Sequence, residues 1–420
     1  MFSKGNTLII AKPGSGKSEL IKSIWNSLDK GGFTIDPHGD LANELCQIAG
    51  KKVYRIAPKE RRFVVNPFDI QDKSLEMREL VAQEITEMIK EMIRDTGLSS
   101  LMQNIAYPII CTLLRLPYAD FKMFSDCCDP ENGRQYLQSI QHLVDPINES
   151  LYSKLLSDTY DIQKQSIYNR LQGFLTKSII YKSICGRDDF ESLLDLEKGM
   201  REPNARIAIC IPIAEIGEDV AVTLGRFYMT RLIIWGKRRE AIAKEKRIPI
   251  YVFVDEFQNF IGEVTAKGLD QFTRKYKVLM ILANQHLQQL DNREVRGSVM
   301  SVANKIVGIS NVETRQAMAK DMMVDPDELS RLKTGFFMAR LGTAEAFPLY
   351  ARMVKSDHTI KPVYCQSQNG EEVLNGWDGV DIEQNHYPNN TKRSRFNNSD
   401  ARHGQTPKQT RKAYTPKFDL

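Results

Sequence analysis

No apolar run in the 420-residue sequence approaches the ~18 to 20 residues needed to cross a bilayer; the longest candidates, such as YPIICTLL, are core-sized. The expectation is a chain with no transmembrane segment of its own, and with no leader ahead of Thr7, where a strand pattern already begins. Cysteine is thinly spread: Cys46, Cys111, Cys127, Cys128, Cys185, Cys210 and Cys365 are odd in number, and the one close pair is adjacent, a poor spacing for metal ligands. Reduced thiols and a cytoplasmic location follow. Charge of one sign is also lacking. The net value is +5, but residues 391–420 carry eight Lys or Arg and two Asp, which leaves 50 basic against 51 acidic residues elsewhere. Any surface for nucleic acid on the folded part must therefore be a local patch, while the tail offers only weak, salt-sensitive attraction to phosphate. Internal repeats are absent. What remains, 42% hydrophobic and 26% charged residues, is ordinary for a soluble globular chain of one large or two to three smaller domains.

Strand and helix patterns alternate at the start. TLIIA (7–11) reads as a buried strand stopped by Pro and Gly, and a helix follows from about Lys17. GGFTIDPHGDLANEL reads as a strand, a turn at Asp36-Pro37 and a second helix, and KVYRIA as a third strand. That alternation predicts a parallel α/β sheet. From 74 to 198 apolar residues recur at three-to-four spacing with few strand signals, which predicts an inserted all-helical domain. The α/β pattern resumes with ARIAICIPI, a long helix over 219–244 and the strand YVFVDE; VLMILAN, KIVGIS and the GFFMARL region supply more strands. The predicted organisation is thus an α/β domain in two parts, 1–73 and 199–365, around a helical insertion at 74–198. A polar, basic tail at 366–420 is expected to be disordered.

The chemistry concentrates in four places. In AKPGSGKS (11–18), Pro13, Gly14, Ser15 and Gly16 would let backbone N–H groups approach phosphate oxygens. Lys17 would reach the β and γ phosphates of ATP, and the Ser18 hydroxyl would face Mg²⁺. Ala11 stands where the loop pattern opens with Gly, which is tolerable if its φ stays negative. The apolar strand ending at Val254 presents Asp255 and Glu256. Asp255 is a candidate to hold the metal through water, and Glu256 to act as general base on the attacking water. Two adjacent carboxylates at the end of a buried strand are costly unless they serve a cation or a proton transfer. Gln285 ends the strand VLMILAN, expected beside the Asp-Glu strand, and could sense the γ phosphate or orient water. Arg274, in FTRKYK ahead of that strand, suits a guanidinium finger donated across a subunit boundary, a role that requires an oligomer. Asp36 either serves the turn or lines the cleft. His38 and His286 lack partners at metal spacing, and Met88, Met92 and Met102 fall on helical faces as core residues.

With those residues in place the sequence resembles the HerA/FtsK superfamily of P-loop motors, most nearly the TraG/TraD-type coupling proteins of conjugative type IV secretion. The matching segments are AKPGSGKS, IDPHGDL (35–41), VVNPFD (64–69), LGRFYMTRLI (224–233), VDEFQNF, RKYKVLMILANQ and SVANKIVGIS (301–310); they run in the family's order over nearly all of 7–352. The resemblance implies a RecA-like core and a ring, usually hexameric, with ATP between subunits and DNA threaded through the centre. It also implies finger and sensor roles for Arg274 and Gln285. Family members often begin with transmembrane helices and this sequence has none, so docking at the inner face of a membrane would need a partner. Relaxase, secretion-channel or capsid proteins are the candidate partners. A DNA translocase is the leading reading. A viral genome-packaging ATPase, a protein-substrate secretion ATPase and a slow nucleotide-gated scaffold stay open beside it.

Overall fold

The structure is a computed structural model that describes residues 5–29, 31–93, 99–190, 205–262, 265–266, 268–269, 275–290, 292–367, 377 and 380, without the side chains of 99–102. Arg274 and nearly all of the basic tail lie outside the described residues, and so do the expectations placed on them.

The first strand, β1 (Thr7–Ile10), shows how the sheet is covered. Leu8 and Ile10 join one apolar cluster while Ile9 and Ala11 join another, so alternate residues feed two opposite faces, both buried. Near-continuous hydrophobic runs are what such a doubly covered sheet demands. The helix α1 (Lys17–Ser27) and the shorter α2 (Asp40–Cys46) lie on the second face, with Trp25 edge-on to Phe253 at 5.3 Å. Between them runs β2 (Gly32–Asp36), and after α2 comes β3 (Val53–Ile56).

Among the described residues seven α-helices then follow: α3 (Leu75–Ile93), α4 (Ser99–Leu113), α5 (Phe121–Cys127), α6 (Gly133–Ser139), α7 (Glu149–Leu156), α8 (Asp161–Leu175) and α9 (Ser178–Ile184). The chain returns to the sheet as β4 (Arg206–Cys210), continues through α10 (Ile213–Ile216) and α11 (Glu218–Arg238), and enters β5 (Ile250–Val254) and β6 (Val278–Asn284). The remaining strands are β7 (Asn304–Val307), β8 (Phe336–Leu341), β9 (Phe347–Tyr350) and β10 (Val363–Tyr364). Their order is β10-β3-β4-β2-β5-β6-β1-β7-β8-β9; every neighbouring pair from β10 to β7 is parallel, and the β7–β8 and β8–β9 pairs are antiparallel.

The helical segment is not a separate bead. Its Ile85, Ile109 and Phe124 belong to the same cluster as Phe33 and Ile35 of the sheet, and Phe68, Phe121 and Phe227 form an edge-to-face chain from its entrance to α11. VVNPFD supplies the clasp. Asn66, fully buried, donates to the carbonyls of Ala119 (2.9 Å) and Gly186 (2.7 Å) and accepts from Phe68 N–H, so the entrance is tied to the exit. Asp188 and Asp189 complete it by accepting from the N–H groups of Asn66 and Val64. Met88 and Met92 are core residues, whereas the side chain of Met102 lies outside those described. Beyond Ser367 the described residues are Trp377 and Val380. Trp377 is 7% exposed, lies 4.4 Å from the Tyr136 ring, and donates to Asp126 at 2.9 Å.

One boundary differs from expectation. α11 ends at Arg238, not near Lys244, and a 3-10 turn covers Arg239–Ala241. Local propensity favours continuation; tertiary partners override it. The Arg247 side chain gathers the carbonyls of Glu240, Ile242 and Lys275, and fully buried Arg239 reaches those of Tyr276 and Ile248. No helix among the described residues is long and apolar enough to cross a membrane.

Candidate active site

Strands β1, β2, β5 and β6 run parallel and end at one edge of the sheet, where the turns after them carry the residues singled out above. After β1, Gly14 and Gly16 take φ of 75° and 92°, which only glycine adopts cheaply. Ser15 closes the loop, its N–H and its Oγ both donating to the Lys12 carbonyl (3.2 and 2.6 Å). No side chain caps α1, so the N–H groups of its first turn remain available at the loop. Pro13, Gly14 and Ser18 are exposed; Ser15 and Lys17 are buried.

Ala11 is not among the positive-φ residues, and its methyl group sits against Gly308, where an added Cβ would come within 2.9 Å of it. The missing side chain in KIVGIS makes room for the extra one in the loop. The loop is also held from β8. Gly335 N–H donates to the Ser15 carbonyl (2.9 Å), Thr334 Oγ1 to that of Gly14 (3.3 Å), and a Cβ on Gly16 would lie 3.2 Å from Gly335 backbone.

Because β6 lies between β1 and β5, Lys17 reaches across the end of β6. Its Nζ donates to Asp255 Oδ1 at 2.7 Å and to Glu256 Oε1 at 2.6 Å, with all three residues under a tenth exposed. Adjacent residues of a continuing strand would point to opposite faces. Glu256 instead has φ 47°, a left-handed turn that costs a non-glycine residue about 1–2 kcal/mol and ends β5 so that both carboxylates meet one ammonium. Gln285 Nε2 donates to the same Oε1 (3.0 Å), and Gln258 Nε2 to Oε2 (2.9 Å). Gln285 is in turn set by fully buried Asn284, whose side chain accepts from Gln285 N–H and donates to the His286 carbonyl.

The electrostatics follow from that geometry. Burial alone would lower the Lys17 pKa, but the charges of Asp255 and Glu256 and their hydrogen bonds raise it overall. Burial alone would raise that of Glu256; Lys17, with the amides of Gln258 and Gln285, holds it below the ordinary value. Lys17 is therefore an ammonium and Glu256 a carboxylate at neutral pH. Asp36 behaves differently. Burial pushes its pKa up, partly offset by N–H groups from the following turn, and the neighbouring Asp255 charge adds to the rise. Its two oxygens accept from His38 and Ala42 N–H (2.9 and 2.8 Å), so it organises the turn into α2 next to the acidic pair. His38 is exposed on that turn, and the N–H of His286 donates to Gln289 Oε1.

The site thus joins Lys17, Asp255, Glu256 and Gln285, with Ser18 one residue along α1; Arg274 lies outside the described residues. Gln258, Asn284, Thr334, Gly335 and Gly308 were not anticipated. Gln258 and Gly308 lie inside VDEFQNF and SVANKIVGIS, whereas nothing local marks Thr334 and Gly335 as neighbours of the loop. Among the described residues no group of three or more His, Cys, Asp or Glu could hold a metal by itself. The donor set fits a cation that arrives with a phosphate and keeps water ligands, as Mg²⁺ does, rather than one caged by protein.

No protein-family model matches the sequence, and no curated protein does. Solved structures match the fold. The bacterial conjugative coupling protein TrwBdeltaN70, in an unbound monoclinic form, aligns with a TM-score of 0.61 and 12% identity over 86% of this chain and 87% of that one. VirB4 of Thermoanaerobacter pseudethanolicus aligns at 0.55 and 14% over 85% and 91%. The plasmid coupling protein TrwB in complex with ADP and Mg²⁺ aligns at 0.56 and 13% over 86% and 88%. At these identities the likeness is one of fold: the chain shares the architecture of TrwB and VirB4 over most of the length of those chains.

Proposed function

We propose that the chain is an ATP-driven DNA translocase, a coupling ATPase of conjugative type IV secretion that works as a hexameric ring. The single observation that carries the reading is the placement of Lys17 Nζ between Asp255 Oδ1 and Glu256 Oε1, with Gln285 on the same Glu256 oxygen. A structural ion pair needs neither a second carboxylate nor an amide on its charge; a hydrolytic site can use one carboxylate for the cation and the other, held by the amide, for the water. The Gly14–Gly16 loop and the uncapped start of α1 supply N–H groups for the β and γ phosphates. When a triphosphate enters, Lys17 exchanges its carboxylate partners for phosphate oxygens. The Ser18 hydroxyl and, through water, Asp255 would hold Mg²⁺, which would supply neutralisation of the phosphate charge.

Freed of Lys17, Glu256 keeps its two amide donors and its left-handed backbone, which fix where its oxygens point. It accepts a proton from the water that attacks the γ phosphorus as the bond to ADP breaks. Gln285, bonded to the base from the neighbouring strand, reports the state of that site to β6. Arg274 completes the charge stabilisation from an adjacent subunit, which is why the proposal includes a ring. TrwB, whose fold this chain shares, is a coupling protein that binds ADP and Mg²⁺, which supports the reading without assigning any residue.

The test is hydrolysis measured with and without DNA, beside the mass of the assembled protein. DNA-stimulated turnover that disappears in both Lys17→Ala and Glu256→Gln is the expected result. Undiminished hydrolysis in both variants would remove the site assignment, and no DNA binding at low salt would point to a polypeptide cargo instead.

A further inference from the structure

Two aromatic side chains stand exposed side by side at the end of the sheet's edge strands. Phe336, the first residue of β8, and Tyr350, the last of β9, are paired across the strands. Their rings lie 4.9 Å apart and remain 45% and 55% exposed, while the neighbouring Phe337 is fully buried. Both belong to the same sheet edge as the phosphate loop, since β8 starts where β7 ends. The link to the loop is direct. Gly335, next to Phe336, donates to Ser15 and abuts Gly16, and a Cβ at Gly335 would lie 3.4 Å from the Tyr350 ring. A cavity of about 500 Å³ that Tyr350 also borders follows α1 from Leu20 to its C-cap at Leu28, away from the phosphate loop, and so is not the base site.

The geometry points to a base-binding platform: the purine ring of the nucleotide stacks on Tyr350, with Phe336 buttressing it, and its sugar side turns toward the start of α1. A ring system bonded to phosphates held at Gly14–Ser18 has to emerge from the loop, and the aromatic pair is fixed to that loop by Gly335. Stacking reads the π face and not the base edge, so the platform favours purines over pyrimidines and accepts adenine and guanine alike. The inference rests on the nucleotide-binding reading above and adds to it the recognition of the base.

The test measures equilibrium binding of ATP and of inorganic tripolyphosphate to the full chain, for the wild type and for Tyr350→Ala, Phe336→Ala and Tyr350→Phe. Tyr350→Ala is expected to weaken ATP binding by roughly 5- to 150-fold, the range lost when a base–aromatic stack is removed, while leaving tripolyphosphate unchanged. Tyr350→Phe keeps the ring and should restore ATP binding to near the wild-type level; Phe336→Ala should fall between. Unchanged ATP affinity in Tyr350→Ala overturns the platform but leaves the nucleotide site standing. Equal loss for ATP and tripolyphosphate also overturns it, because the ring would then support the loop only. So does a fall in assembled mass with ATP affinity intact, which would make the pair a subunit contact. Absence of ATP binding in the wild type removes the parent reading instead.

Discussion

Replacing Lys17 by Met removes the one positive charge shared by Asp255 and Glu256 and keeps an unbranched apolar stem in its place. Removing one partner of a buried ion pair costs about 3–5 kcal/mol, mostly because the other charge is stranded. Here two carboxylates are stranded side by side, but one of them can take up a proton, which limits the loss to about 3–4 kcal/mol at neutral pH. Glu256→Gln keeps the Lys17–Asp255 contact and should cost only about 1–2 kcal/mol. The double variant should fall short of the sum by about 1–3 kcal/mol, the coupling expected of residues in one network.

The pH dependence has a definite sign. The folded pKa of Glu256 is lowered, so its contribution is full above its ordinary 4.5 and is lost as pH falls through the lowered value. That of Lys17 is raised, so its contribution is full below its ordinary 10.5 and is lost as pH rises through the raised value. The wild-type contribution is therefore level between those limits, while the Lys17→Met penalty shrinks on acidification as the stranded pair takes up its proton. Urea denaturation of the nucleotide-free full chain, followed by circular dichroism near pH 7.5 and near pH 5, reads both effects. A Lys17→Met midpoint equal to the wild type at both pH values would refute the three-residue cluster.

Four further outcomes are expected. Glu256→Gln should retain ATP binding but lose about 10²–10⁴-fold in turnover, measured by phosphate release; wild-type turnover would assign the base elsewhere. Arg274→Ala and Glu256→Gln, each inactive alone, should recover about a quarter of the wild-type rate when mixed equally, if base and guanidinium come from different subunits of a closed ring. A mixture no more active than its components would argue against sharing. Gly308→Ala should destabilise the fold by about 1–3 kcal/mol, because the new methyl meets Ala11 at 2.9 Å and Phe337 at 2.8 Å; Ala11→Gly in the same chain should recover part of it in thermal melts. Asn66→Ala leaves two buried carbonyls and the Phe68 N–H without their partner and should cost about 3–5 kcal/mol, seen as faster proteolysis between residues 75 and 184.

Much of this architecture could be read from residue pattern. Alternating apolar runs and glycines marked β1, the loop and α1, because their signals are local and a doubly covered parallel sheet needs continuous hydrophobic strands. The Asp255-Glu256 pair was legible for the same reason. Its geometry was not: that the two carboxylates share one ammonium depends on the left-handed backbone at Glu256, which no propensity for Glu encodes. The support of the loop by Thr334 and Gly335 was invisible because it joins segments more than 300 residues apart. The early end of α11 depends likewise on Arg239 and Arg247, which lie past it, finding the distant carbonyls of Tyr276 and Lys275. β9 escaped as well, since Pro348 argues against a strand except at an edge, and an edge is where β9 lies.

Because β3 and β4 are parallel neighbours, the chain leaving one must run back along the length of a strand before it can start the other. No tight turn makes that journey; roughly a dozen residues are the least that can. The seven helices between Leu75 and Ile184 therefore lie on a return path that needs only a small part of their length. Evolution or an engineer could trim them to a short crossover and leave β3 and β4 within reach of each other.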